Sequence, residues 1–345
     1  MMVQKWLRPL MRWESALVVV VAMEILVFGA LNERFLNGTR LINSTSDFIY
    51  VGILALPLAV VMLSGGIDIS IGSVVSLSAI TTGVVYVATD SMVAGIVAGL
   101  AISFVAGLLN GLLIVITGTA PMVITLGTQF LYAGLALGIS GLGGVSSYEG
   151  ISNLPEWFND VAGGQWIGGI PNLITIFVVV AVIFLVVMAK TPFGRMARLI
   201  GMSPSVAEYA GISVPRATIS IYALTGTVAG LVGVLLTSYF GSARSDMGAT
   251  LLMPALTLVV IGGVSMFGGE GGLLGVVIAT FVIGFLEQGL RFAGMSENQV
   301  TVVTGIVLVV VASVRWWSAR GAEILANRRI RRQQIRRHRE VVAGA

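Results

Sequence analysis

The residues best placed to do chemistry form one run, Ser64-Gly65-Gly66-Ile67-Asp68-Ile69-Ser70-Ile71-Gly72-Ser73, between two apolar stretches with no room for an ordinary loop. Asp68 is therefore a carboxylate at or near membrane depth. Such a group costs at least ~2.5–3.5 kcal/mol to insert, so it needs a partner or a water-lined cavity. The glycines beside it allow a helix to break there. Two readings stay open. Asp68 or Ser70 caps the next helix, where the dipole favours an acid, or the pair borders a solute path. Asn110, Thr125, Thr128 and Gln129 add uncharged hydrogen-bonding groups on two further apolar stretches. Thr125 and Gln129 are four apart and share a helix face, with Thr128 beside it. A path for a neutral polyhydroxy solute needs such groups, and so does hydrogen bonding between helices. Glu24 interrupts another apolar stretch with no second carboxylate near it. It reads as paired with a neighbouring helix or snorkelling, against the alternative of an ion or proton site. Glu287 and Gln288 are ambiguous in the same way. Arg244 and Asp246 are too close in sequence to need each other, and two readings stay open: they meet a docking protein with opposite charges, or they are simply solvated.

Several chemistries are excluded by residue type. There is no cysteine, so disulfides, thiolate metal sites and Cys nucleophiles are absent. The one histidine, His338, lies near the C-terminus, which argues against a His-based metal, haem or triad site. The two lysines, Lys5 and Lys190, follow Gln4 and Ala189, so neither completes a phosphate-binding loop. If ATP drives this protein, another chain hydrolyses it, and this chain is expected to hold no metal or cofactor and to be no enzyme.

The elements that must position these residues are membrane helices. The 345 residues are 56% hydrophobic and only 10% charged, whereas a soluble domain carries about 25% charged residues. A helix needs about 20 residues to cross the hydrocarbon. The apolar stretches give ten candidates, at 14–32, 48–65, 70–89, 92–116, 121–142, 173–190, 216–239, 251–267, 272–292 and 299–316. The first follows Lys5, Arg8 and Arg12 as a signal peptide would. It contains Glu24 and lacks a convincing small-x-small cleavage site, so it reads as an uncleaved helix. The expected fold is all-α and polytopic: an N-terminus at 1–13, a membrane domain at 14–316 and a basic tail at 317–345.

Charge orients the spans. With the N-terminus inside, Lys5, Arg8, Arg12, Lys190, Arg195, Arg198, Arg216 and nine tail arginines face the cytoplasm. Arg34, Arg40, Arg244 and Arg291 face out. This agrees with the positive-inside rule and places both termini in the cytoplasm. The outer loop 143–172 carries Glu149, Glu156 and Asp160 with no basic residue, and Tyr148, Trp157 and Trp166 suit the membrane interface. The inner loop 190–215 is basic and long enough for a short helix. Small-residue pairs one turn apart, Gly95/Gly99, Gly107/Gly111, Gly134/Gly138 and Gly226/Gly230, predict close helix packing for most of them, against the plain abundance of glycine in membrane helices. Pro57, Gly65-Gly66 and Gly72 are echoed at the same offsets by Pro254, Gly262-Gly263 and Gly269, which reads as a parallel internal repeat against the alternative of chance similarity between two glycine-rich stretches. The tail segment Asn327–Arg339, with seven arginines, reads as an anchor to anionic lipid rather than a nucleic-acid site.

Taken together these motifs resemble the permeases of sugar-type ABC importers, which carry ribose, arabinose, galactose or autoinducer-2. The family pattern G-I-D-[LI]-S-x-G-S is present as Gly66 to Ser73. The cytoplasmic pattern is present as Phe193-Gly194-Arg195, Ile200-Gly201 and Ala207 to Ile212, and a late glycine element as Gly262 to Gly271. The runs Ser44 to Ile49, Tyr148 to Ile151 and Ser238 to Ala249 are similar to the autoinducer-2 branch. The very basic tail is not a feature of the family.

The resemblance implies an inner-membrane permease paired with a second permease subunit. It also implies a cytoplasmic ATP-binding subunit and a periplasmic solute-binding protein. Loop 190–215 would then be the coupling element, with Phe193, Gly194, Arg195, Gly201, Ala207 and Gly211 shaping a helix that docks on the ATPase. Glu149, Arg244 and Asp246 would meet the binding protein. Autoinducer-2 is the implied solute, with a pentose or hexose as alternative. An ion-coupled secondary transporter using Glu24 and Asp68 is a further rival, and a membrane enzyme fares poorly without Cys or a core His.

Overall fold

A helix that is apolar on every side can only be stable in the centre of an assembly or in lipid, and this chain has both kinds. The structure, a computed structural model, describes residues 13–32, 35, 37–143, 150–311 and 313. Among them the helices are α1 (Trp13–Leu31), α2 (Gly38–Ser44), α3 (Ile49–Leu63), α4 (Ile71–Thr89), α5 (Met92–Thr117), α6 (Pro121–Leu142) and α7 (Glu156–Gly163). They continue with α8 (Asn172–Lys190), α9 (Pro192–Met202), α10 (Pro204–Tyr209), α11 (Val214–Phe240), α12 (Leu252–Ile261) and α13 (Leu273–Phe292), then α14 (Glu297–Val311). The described residues contain two isolated β-bridges and no strand. Residues up to Met295 form one unit and those from Ser296 a second. In the second, Gln299 Oε1 accepts from Ser296 N at 2.8 Å and fastens the start of α14.

Every residue of α3 except Tyr50 is buried, as are Ile71 to Gly83 of α4 and most of α11. By contrast α1, α6 and α8 expose large apolar side chains such as Leu26, Phe130 and Ile183. Prolines at the first turns of α6, α9, α10 and α11 start those helices where a missing N–H does no harm.

Each of the ten expected spans contains a helix, but their lengths differ. Seven are long and apolar enough to cross a membrane, and the pair Gly38–Asp47 and Ile49–Leu63, bent by 51°, makes an eighth. The stretch expected at 251–267 is helical only over Leu252–Ile261, 10 residues, or about 15 Å at 1.5 Å per residue and half the hydrocarbon thickness. Gly262-Gly263 stops it. Gly263 takes φ 97°, and Gly263 N and Val264 N turn back on Val260 O and Val259 O at 3.1 and 3.2 Å. The end of α3 closes in the same way, with Gly65 at φ 85° and Gly65 N and Gly66 N on Met62 O and Val61 O at 2.9 and 3.1 Å. Both are Schellman ends. The echo seen in sequence is therefore present in the backbone, but Gly65 matches Gly263 rather than Gly262.

The small-residue pairs behave unequally. On α5 and α11, a Cβ added to Gly226 would lie 2.8 Å from Gly107 Cα, so the two backbones touch there. Gly95 and Gly99 press on Thr82 and Ser78 of α4. Gly134 and Gly138 meet nothing within 4 Å among the described residues and are the exception among the four pairs: they lie on the open side of α6, away from its buried face Thr125, Thr128, Tyr132, Ala136 and Ser140. Gly226→Ala is expected to lower stability by about 1–3 kcal/mol through overpacking, read as an earlier unfolding midpoint in a detergent titration. Gly138→Ala, with open space around it, should leave the midpoint in place.

Candidate functional site

The break between α3 and α4 is closed by its own side chains and by others from two helices, α5 and α6. Asp68, 2% exposed, accepts from Ser70 N at 2.9 Å and Ser70 Oγ at 2.7 Å. Ser70 Oγ accepts in turn from Asn110 Nδ2 of α5 at 2.8 Å. The Tyr132 hydroxyl of α6 lies 3.0 Å from Asn110 Oδ1 and 2.8 Å from Ala106 O. Thr125 Oγ1 pins the backbone of the break from both directions: it accepts from Ile69 N at 3.1 Å and lies 3.0 Å from Ile67 O. Thr128 is buried one turn further on, its hydroxyl 3.3 Å from Thr125 O. Asp68, Ser70, Asn110, Thr125 and Thr128 are thus brought together. Gln129 is only half-buried; the inward face runs Thr125, Thr128, Tyr132, not Thr125, Gln129.

Two tyrosines of this site were not singled out from sequence. Tyr132 was within reach of periodicity, standing four residues after Thr128. Tyr222 was not, since a tyrosine inside the α11 span reads as ordinary core. Its hydroxyl is buried and has no hydrogen-bond partner among the described residues, and it faces the break so closely that a Cβ on Gly66 would lie 2.6 Å from it.

The same break touches the inner loop. That loop forms two short helices, α9 and α10, with Gly194, Ala197 and Ile200 of α9 buried and Ala207 of α10 packed in a small cluster with Ile200 and Ala217. A Cβ on Gly201 would collide with Leu63 O, the end of α3, and lie 2.5 Å from Gly269 N. Gly269 N itself donates to Leu63 O at 2.9 Å, and Gly268 sits on Gly65 and Gly201. Three glycine-bearing segments therefore meet in close backbone contact: the α3 break, the end of α9, and the loop after α12. Gly194 packs on Met188 at the end of α8. Phe193 is half-buried, whereas Arg195 and Gly211 are exposed.

At the opposite end of these helices, three runs converge. Asp47 accepts from Tyr239 OH at 2.8 Å and from Gln288 Nε2 at 3.0 Å, which resolves Gln288 as a packing residue. Ile151 and Ala243 form an antiparallel bridge with 2.9 Å bonds in both directions. Ser238 Oγ bonds to Phe158 O of α7 and accepts from Ala162 N at 3.0 Å. Arg244 and Asp246 do not stand free, as their spacing had implied. The turn between them lets the guanidinium fold back, Nε to Oδ1 at 2.9 Å and Nη2 to Oδ2 at 2.6 Å. Asp246 raises the pKa of Arg244 further above its ordinary value. The pair is partly exposed, so its contribution to stability is small. Glu149 and the arginine-rich tail lie outside the described residues. Glu24 Oε2 is buried with no hydrogen-bond partner among the described residues, so the expected pairing with a neighbouring helix is not made there at that oxygen.

This arrangement was compared with known proteins. Residues 40–312 match the family described as branched-chain amino acid transport system / permease component. The chain is 44% identical over 313 residues to the "Autoinducer 2 import system permease protein LsrD" of Salmonella typhimurium (strain LT2), covering 91% of this chain and 94% of that protein. It is 44% identical over 299 residues to the protein of that name from Escherichia coli (strain SMS-3-5), covering 87% and 90%. No solved structure matches. With a family match over most of its length and relatives at this identity, the chain belongs to the permease components of ABC importers and is a multi-pass transport subunit.

Proposed function

We propose that this chain is the permease subunit through which autoinducer-2 crosses the inner membrane, energised by ATP hydrolysis on a separate chain. The names of its relatives support the solute, and the three runs that meet at one end of the helices are those that resemble the autoinducer-2 branch. The observation that carries the mechanism is the contact of Gly201 with Leu63 and Gly269. It gives a helix in the inner loop direct purchase on the end of α3 and on the loop after α12.

In this reading both termini are cytoplasmic and the partners are a second permease subunit, a cytoplasmic ATP-binding subunit and a periplasmic solute-binding protein. Loop 190–215, with Phe193, Gly194, Arg195, Gly201, Ala207 and Gly211, docks on the ATPase as a helix in a groove. When the ATPase closes, α9 moves, and the end of α3 and the loop after α12 move with it. Asp68 and Ser70 hold the inner end of the path, with Asn110, Thr125, Thr128 and Gln129 bordering it. Uncharged donors and acceptors suit a small polyhydroxy solute. The binding protein docks at the end bearing Glu149, Arg244 and Asp246. No covalent step falls on this chain.

The test is uptake by vesicles holding the full set of subunits and binding protein. Autoinducer-2 should accumulate only with ATP and the ATPase, and ribose should not compete. Competition by ribose would reassign the solute to a pentose. Uptake that survives loss of the ATPase and collapses with the ion gradient would replace the mechanism by ion coupling.

A further inference from the structure

Two clefts meet at Arg216, in the first turn of α11. The first, about 670 Å³, lies between α9 and α11 and is lined by Phe193, Arg195, Met196, Leu199 and Arg216. The second, about 540 Å³, runs up the membrane-spanning part of α5 and α11 between Phe104, Leu108, Ile219 and Leu224. Arg216 and Ser220 line both.

The two clefts differ in chemistry. Arg195 and Arg216 are exposed, and neither is joined to a carboxylate among the described residues. Between Lys190 and Arg216 the sequence has four basic residues and one acid, Glu208. The rim therefore carries uncompensated positive charge at the point where an apolar span gives way to a polar loop. The second cleft carries no acidic side chain, and its flank exposes Phe104 and Val105.

We infer that these joined clefts bind one anionic phospholipid, its phosphodiester between Arg195 and Arg216 and one acyl chain along the α5–α11 groove. Guanidinium groups bind phosphate through charge-assisted, often bidentate bonds. Basic pockets between membrane helices are the recognised setting for anionic headgroups. A free phosphate or nucleotide would use the arginines and leave the apolar groove empty. Only a molecule with a phosphate at the end of a hydrocarbon chain satisfies both halves.

The experiment is native mass spectrometry of the full-length protein in mild detergent, titrated with palmitoyl-oleoyl phosphatidylglycerol, the matching phosphatidylcholine, dihexanoyl phosphatidylglycerol and inorganic phosphate. One long-chain phosphatidylglycerol per chain is expected, bound about tenfold tighter than phosphatidylcholine, with the short-chain lipid and phosphate weak. R216Q should weaken it about tenfold. S220W, which fills the shared throat and leaves both arginines, should do the same. Both positions are exposed, so unchanged melting of each variant separates lost binding from lost folding. Equal binding of the two long-chain lipids, or R216Q behaving as wild type, overturns the site. Tight phosphate binding that S220W spares would make it a soluble-anion site instead. Arg195 is also the residue proposed above to meet the ATPase, so the lipid is expected to leave when that subunit is added; lipid and ATPase held together on one chain would overturn the placement of the phosphodiester at Arg195.

Discussion

Gly201→Val is expected to bring ATP-driven uptake down at least tenfold while the chain remains in the membrane. A Cβ at this position has no flexible side chain to push aside: its nearest atoms are backbone, Leu63 O, Leu63 C and Gly269 N. The end of α9 must therefore move off α3. Overpacking of this kind costs about 1–3 kcal/mol, enough to shift a poised junction but not to unfold a helix layer buried elsewhere. Arg195→Ala is the companion. Arg195 is exposed and has no partner among the described residues, so the variant should melt as wild type and still lose ATPase in a co-purification. Full uptake by G201V together with undiminished ATPase association by R195A would remove loop 190–215 from the coupling role.

What could be read from sequence depended on whether partners are near in the chain. Asp68 and Ser70 are two residues apart, and their types in a glycine break offered a helix cap as one of two readings. Ser70 is the N-cap of α4, but its side chain makes no cap bond and, among the described residues, Asp68 accepts from Ser70 alone. The structure adds that Ser70 is held by Asn110, 40 residues away. Asn110 and Thr125 were legible because a polar residue in an apolar run is conspicuous. Their meeting at one break was not, since helix order in space cannot be read from hydropathy. Tyr222 illustrates the limit: its position against Gly66 depends on α11 crossing α5 at Gly107 and Gly226. Arg244 and Asp246 show the reverse error. Nearness in sequence was taken as a reason against pairing, yet a turn brings a long arginine back on a residue two positions on. The length of α12 was overread because apolar residues continue past Gly262-Gly263, while hydrogen bonding does not.

Asp68→Ala is expected to destabilise the protein by about 3 kcal/mol, since it removes the acceptor of two bonds to Ser70 that are each of a charged type. Ser70 Oγ keeps Asn110, but Ser70 N is left buried without a partner. Uptake should fall with the folded fraction. Asp68→Asn separates structure from transport. An amide oxygen can still accept from Ser70 N at the start of α4, and burying a neutral group avoids the desolvation of a carboxylate. The asparagine variant should therefore recover most of the stability, measured as an unfolding midpoint in detergent, and most of the uptake. That pattern places the work of Asp68 in holding the break shut against Asn110 and Thr125. A variant that melts as wild type yet transports nothing would show that the negative charge itself is needed as the path opens. The orphan hydroxyl of Tyr222 beside Gly66 would then be the first partner to test, by Tyr222→Phe in both backgrounds.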